Sequence, residues 1–147
     1  MTRGAWAGRQ LGGLAVAAAR TNDSFRRLAR SLIGPNRGAT MHAFVDELHR
    51  RFVYAPDPTM AEFLFLRVPW EPGALIDVDD ACLFVASLAK EAEIPCRFVL
   101  ARYRERAWTV FLAYEDEEGR WIGVDPLRQK TTQRLEELVF SERITKP

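Results

Sequence analysis

Three short segments of this 147-residue chain carry side chains whose types and order could do chemistry. They are residues 76–81 (IDVDDA), 106–108 (RAW) and 123–126 (GVDP). The first opens a long apolar run, which predicts a buried helix with carboxylates in its first turn, where the helix dipole favours them. A nucleophile at such a helix tip, with a base and an acid supplied by two later strands, would form a catalytic triad.

The order and spacing of these segments resembles the transglutaminase-like superfamily, whose members carry a Cys, His and Asp triad on a papain-like scaffold. The usual family strings are G-D-C-D-D at the nucleophile, H-x-W at the base and D-P at the acid. Here the nucleophile position is Val78, the base position is Arg106, and the acid position keeps Asp125. The resemblance covers about residues 40–126. It implies an α+β fold of the papain/transglutaminase type, with a buried central helix on a small antiparallel sheet and an N-terminal helical arm.

The residues at two of these three positions cannot do the chemistry of a cysteine enzyme. Val78 has no nucleophilic atom, and Arg106 stays protonated at ordinary pH and cannot accept a proton. The sequence therefore predicts a pseudoenzyme, a domain without catalytic residues that serves as a structural or protein-binding module. We expect Arg106 and Asp125 to form a guanidinium–carboxylate pair instead of a His–Asp pair. A separation above about 6 Å would show that Arg106 is misaligned.

Cys82 supports an alternative function, a cysteine-dependent peptidase, amidase or transglutaminase, because it lies one helical turn after Val78. The ordinary role of Cys82 and Cys96 would be that of small buried core residues that form no disulfide framework, which fits a reducing compartment. His42 and His49 are seven residues apart on a predicted helix, about 10 Å along its axis, and are expected at or near the surface.

The aspartates around Val78 also suggest a calcium loop, but the glycine and the distal glutamate of such a loop are missing. Helix capping explains them without a metal, so we predict no metal site and no cofactor. Tryptophans are candidates for lining a remnant cleft, Trp70 and Trp108 above all, although core packing is the ordinary role of such side chains.

Basic residues are concentrated in the N-terminal third of a chain whose net charge is only +1. Residues 1–52 hold nine arginines against three acidic residues, a balance of +6. Such a segment favours acidic partners, either other protein subunits or nucleic acid, which is a second alternative function, although a solvated helix face has the same composition. The candidate binding residues are Arg3, Arg9, Arg20, Arg26, Arg27 and Arg30.

We divide the chain into a basic N-terminal arm with a short helix, residues 1–37, and a transglutaminase-like domain, residues 38–147. Tyr54, the run Pro56–Pro58 and Glu62 resemble a lead-in found in transglutaminase-like proteins encoded in tailed-phage and prophage virion gene clusters. This resemblance implies a virion component near the head–tail junction or in the tail, with virion proteins or a second copy of the chain as partners. The expected location is the virion or the bacterial host cytoplasm.

No membrane partner is expected, because no apolar run approaches the ~20 residues of a membrane span. The Gly- and Ala-rich run at residues 11–19 is too short for us to expect a signal peptide. The predicted helices cover residues 22–33, about 41–52 with a cap at Thr40, and the run from the Asp77 cap to Glu93. The predicted strands are Arg97–Tyr103, Ala107–Tyr114 and Trp121–Val124. A final short helix is predicted after Thr131 or Thr132, with Leu135, Leu138 and Val139 as its apolar stripe.

Overall fold

A computed structural model of the chain describes residues 23–54, 73, 75–102, 108–126, 130–132 and 138–143. The helices are α1 (Asp23–Ser31), α2 (Arg37–Arg51) and α3 (Val78–Glu91). The strands are β1 (Val53–Tyr54), β2 (Leu75–Ile76), β3 (Cys96–Arg102), β4 (Trp108–Glu115), β5 (Trp121–Asp125), β6 (Lys130–Thr132) and β7 (Leu138–Arg143).

Helix α3 is the centre of the structure, and its sequence explains why. Asp77 is its N-cap, and the Asp77 and Asp80 side chains each accept a hydrogen bond from the backbone of the other residue, which forms the predicted capping box. Every residue from Asp80 to Ala89 is buried, as expected for a helix that is apolar on nearly all sides. The helix ends at Glu91, shortly before Pro95, which cannot continue a helix.

Helices α1 and α2 pack against α3 through aromatic rings. The ring of Phe84 on α3 meets Phe25 of α1 edge-on at 5.5 Å between centroids, and Phe52, at the end of α2, at 5.2 Å. Edge-to-face pairs of this kind add about 0.5–1.5 kcal/mol to the burial of the rings themselves. The three helices therefore form one layer around Phe84.

The second layer is a five-stranded antiparallel sheet in the order β6-β5-β4-β3-β7. Side chains alternate along β4, with Val110, Leu112 and Tyr114 in the core beneath α3 and Phe111 in a second buried cluster. A separate pair of strands, β1 and β2, runs parallel with Val53 opposite Leu75. The α+β fold class, with a buried central helix on an antiparallel sheet, is therefore confirmed.

Two element predictions are wrong. The predicted helix after Thr131 fails, because Thr131 pairs with Val124 in the sheet and Leu138 pairs with Ala101. These pairings satisfy the backbone with partners far away in sequence, which a local periodicity does not report. Helix α2 also begins earlier than predicted. Its N-cap is Asn36, whose side chain accepts from the Ala39 N–H at 2.8 Å, and not Thr40.

Helix α1 falls within the predicted N-terminal arm, and the structure describes the arm only from residue 23 onward. Arg26 on this helix pairs with the half-buried Glu91 at the end of α3, with 3.3 Å between Nε and Oε2. The division of the chain at residue 37 stays a prediction, and the described part of the arm is in contact with the central helix.

Candidate functional site

The tip of α3 lies where the sequence places the nucleophile of a triad. Val78 is the first residue of α3, is half-buried, and packs against the core. Asp77 caps the helix, and Asp79 and Asp80 follow in the first turn. The predicted position of Val78 at a helix tip is thus confirmed.

Asp80 is the most unusual group at this tip. Its residue is 2% exposed, and Oδ2 accepts the Asp77 N–H at 3.1 Å, whereas Oδ1 has no hydrogen-bond partner within the described ranges. Burial raises the pKa of the Asp80 carboxyl to about 7, and the carboxylates of Asp77 and Asp79 act in the same direction. This carboxyl therefore titrates near neutral pH, well above the ordinary pKa range of an aspartate.

Cys82 lies one turn further along α3 and is fully buried. Its thiol donates to the carbonyl oxygen of Val110 on β4, 3.5 Å away. Burial raises the pKa of the Cys82 thiol well above its usual value, and the nearby charges of Asp79 and Asp125 add to the effect. Cys96 on β3 is also fully buried, and burial raises the pKa of its thiol to about 12. The expectation that both cysteines are free core residues is confirmed.

A histidine on α2 contacts the residue that follows β5. Asp125 is the last residue of β5 and is half-buried. The next residue, Pro126, accepts a hydrogen bond at 2.5 Å on its carbonyl oxygen from Nε2 of the exposed His49 on α2. A carbonyl oxygen can only accept, so this contact requires the proton on Nε2 of His49. The contact joins α2 to β5 beside the predicted acid of the triad.

The sequence analysis expected His49 only at or near the surface, and its contact with Pro126, the residue after Asp125, was missed. The contact joins residues 77 positions apart, and no local pattern reports such a pairing. The other histidine, His42, is exposed on the same helix.

Several predicted site residues lie outside the described residues: Arg3, Arg9, Arg20, Trp70 and Arg106. The expected contact between Arg106 and Asp125 therefore stays a prediction. Trp108 is the first residue of β4 and pairs with Arg102 across the sheet. Among the described arginines of the arm, Arg26 binds Glu91 and Asp23, whereas Arg27 and Arg30 are exposed.

The described residues hold no group of three or more His, Cys, Asp or Glu side chains arranged to bind a metal ion. No helix in the described part of the chain is both long and apolar enough to cross a membrane.

No protein-family model and no curated protein sequence matches this chain. Its structure is similar to the crystal structure of a protein from Cytophaga hutchinsonii described as a "putative cysteine protease", with a TM-score of 0.55 and 17% sequence identity. The match covers 86% of this chain and 46% of the other, so this chain spans about half the length of that protein.

This similarity corrects one prediction. The prediction that the chain is not an enzyme is wrong on this finding, because the fold it shares is that of a protein described as a cysteine protease. The likeness offers no support for an inactive virion role. The fold of this chain is therefore α+β and similar to that of the protein described as a "putative cysteine protease".

Proposed function

We propose that this chain is a cysteine-dependent enzyme acting on amide bonds, as a peptidase, amidase or transglutaminase, with Cys82 as its thiol. The observation that carries the proposal is the position of Cys82 on the central helix of a fold similar to that of a cysteine protease. Cys82 is the one cysteine in the sequence of α3, one turn from the helix tip. The charge of Asp125 is close enough to affect the pKa of the Cys82 thiol.

A thiol that attacks an amide needs a base, and His49 is the histidine that contacts the residue next to Asp125. In the proposed reaction the base takes the thiol proton and the sulfur attacks the amide carbonyl carbon. The C–N bond then breaks, and the amine leaves with the proton that the base returns. Water hydrolyses the resulting thioester, or a second amine takes the acyl group from it.

The proposal includes an opening step. The Cys82 side chain is fully buried, so a substrate reaches the sulfur only when the first turns of α3 separate from β4. Local opening of a helix end requires less free energy than global unfolding. Until that opening, burial and the surrounding carboxylates keep the thiol protonated, and a thiol is a far weaker nucleophile than a thiolate.

The test compares matched variants in assays of peptide hydrolysis, glutamine deamidation and glutamine–amine transfer. Cys82→Ala should abolish turnover. Cys96→Ala is the matched control and should retain turnover, since Cys96 is an equally buried free cysteine but lies on a strand and not on α3. His49→Ala should reduce kcat strongly, because His49 is the proposed base. His42→Ala is the matched control and should leave kcat unchanged, since His42 lies exposed on the same helix α2. Turnover that survives Cys82→Ala would refute the proposal. So would a wild-type protein that is inactive on all three substrate classes and whose Cys82 resists iodoacetamide.

A second candidate function is binding of an acidic protein surface through α1. Arg27 and Arg30 are exposed and take part in none of the ion pairs within the described ranges, while Arg26 pairs with Glu91. Unpaired cations on one short helix add binding energy and faster association with an acidic partner. A second copy of the chain or a virion subunit would fit, and the virion placement rests on the resemblance of residues 54–62 alone.

Sedimentation velocity of the full chain tests this second candidate. The double variant R27E/R30E should weaken self-association, whereas R120E, a charge reversal at one exposed residue of the β4–β5 hairpin, should not. A wild-type protein that stays monomeric at high concentration and binds random-sequence DNA with a steep salt dependence would instead favour the nucleic-acid alternative. Failure of both assays would remove α1 as a binding element.

A further inference from the structure

The first turn of α3 is closed by two carboxyl groups. In the usual capping box a Ser or Thr hydroxyl and a Glu or Gln side chain each accept one backbone N–H. Here Oδ1 of Asp77 accepts the Asp80 N–H at 2.9 Å, and Oδ2 of Asp80 accepts the Asp77 N–H at 3.1 Å. The geometry holds two acidic side chains against the same turn, where two full negative charges would repel each other.

Burial makes this arrangement sensitive to protonation. Asp80 is 2% exposed, and its Oδ1 has no hydrogen-bond partner in the described part of the chain. An ionised carboxylate with an unsatisfied buried oxygen is costly, whereas a protonated carboxyl is neutral and can donate an O–H.

We propose that the buried Asp80 carboxyl is protonated in the folded protein, and that the first turn of α3 loosens when this proton leaves. The turn then works as a pH-sensitive element at the tip of the central helix. This inference does not depend on the proposed enzymatic function, because it concerns only the charge state and order of the helix end.

Among the described residues, no charged group on the elements packed against α3 forms an ion pair with Asp80. On α2, Arg50 and Arg51 both bind Glu47, and His49 donates to the Pro126 carbonyl. On β5, Asp125 adds a further negative group.

The remaining described neighbours of α3 form no ion pair with Asp80 either. Arg26 of α1 pairs with Glu91 at the opposite end of α3. Arg97 of β3 stacks over the ring of Trp121 at 4.1 Å. Strand β2 contributes only Leu75 and Ile76, and no ion pair among the described residues involves Asp80.

The direction of the pH effect follows from linkage. Burial, followed by the Asp77 and Asp79 carboxylates, raises the pKa of Asp80 from 3.8 to about 7. A group with a raised pKa in the folded state contributes stability that is fully present below its unfolded pKa. That contribution is lost as the pH rises from 3.8 through about 7. The loosened turn carries Val78 and Asp79, and Cys82 follows one turn later.

The test is a carbon-detected NMR titration of the aspartate carboxyl groups in the full chain. The Asp80 carboxyl should titrate with a midpoint near 7, and the amide shifts of Asp77 and Val78 should follow the same curve. Asp79→Asn should lower that midpoint and keep the titration, because it removes a charge that raises the pKa of Asp80.

Asp80→Asn supplies an independent readout, since asparagine keeps an acceptor for the Asp77 N–H and removes the titrating group. The wild-type free energy of unfolding should fall between pH 3.8 and about 7, and the variant should lose that part of the profile. An Asp80 midpoint at its ordinary value of 3.8 would overturn the proposal. An unchanged stability profile in the variant would do the same. Should the variant not fold, the wild-type titration decides alone.

Discussion

The thiol of Cys82 donates to the main-chain carbonyl of Val110, 3.5 Å away, and this contact joins the central helix α3 to the central strand β4. A thiol is a weak donor, so the contact itself adds little to the free energy of folding. The contact matters for the position of Cys82, because it holds the sulfur against the sheet in the interior of the protein. Any chemistry of Cys82 therefore begins with the separation of α3 from β4.

We predict that the two buried cysteines react with iodoacetamide at different rates in the native protein. Cys82 should react roughly 100-fold or more slowly than a free thiol, because only the opened state exposes it. It should still react faster than Cys96, since exposing Cys82 requires only the first turns of α3 to open. Exposing Cys96 requires separating β3 from β4.

Mass spectrometry of C82S and C96S measures each rate separately, with urea-unfolded protein as the reference in which the two rates should agree. Equal native rates would show that only global unfolding exposes Cys82, and the opening step would have to be abandoned. A native Cys82 that reacts as fast as a free thiol would contradict its burial.

We also predict that Glu47 stabilises the end of α2 in a pH-dependent way. Its side chain is 4% exposed and binds Arg50 and Arg51, with 3.1 Å between Arg50 Nε and Glu47 Oε2. Burial acts to raise the pKa of Glu47, but its hydrogen bonds from Arg51 and Arg50 outweigh this and lower it below 4.5. Stability from a lowered carboxyl pKa is present above the unfolded pKa and is lost as the pH falls through the folded pKa.

Glu47→Gln should therefore cost about 1.5–3 kcal/mol at neutral pH, the range for hydrogen bonds to charged groups, and less in acid. Asp46→Asn is the matched control, since Asp46 is the adjacent acidic residue and is exposed. Urea unfolding at several pH values measures both variants. A Glu47→Gln cost that is constant down to acid pH would show that the charge of Glu47 does not contribute.

The parts of the fold that were predicted correctly are those set by local chemistry. Asp77 and Asp80 predict the start of a helix, because their spacing lets each side chain accept a hydrogen bond from the other residue's N–H. The alternation in β4 is equally local, since it depends only on the two-residue period of a strand. Val78 could thus be placed at a helix tip from the sequence alone.

The features that were missed depend on contacts between distant segments. Leu138 and Val139 fit a helical stripe, yet the open edge of β3 pairs with this segment as β7. The contact between His49 and Pro126 arises only when α2 meets the end of β5. The loss of enzymatic function was inferred from two positions of a resemblance, and the structural similarity to a cysteine protease contradicts it.

The last prediction concerns α1 and the proposed boundary at residue 37. Phe25 is 5% exposed and meets Phe84 edge-on, so Phe25→Ala should cost about 3 kcal/mol in the free energy of unfolding. Ile33→Ala is the control, because Ile33 is 55% exposed and its loss should change stability by less than about 0.5 kcal/mol. A fragment of residues 38–147 should likewise unfold at lower urea than the full chain, because it lacks Phe25. Equal stability of the two variants, and of the fragment and the full chain, would instead place α1 outside the cooperative unit and support an independent arm.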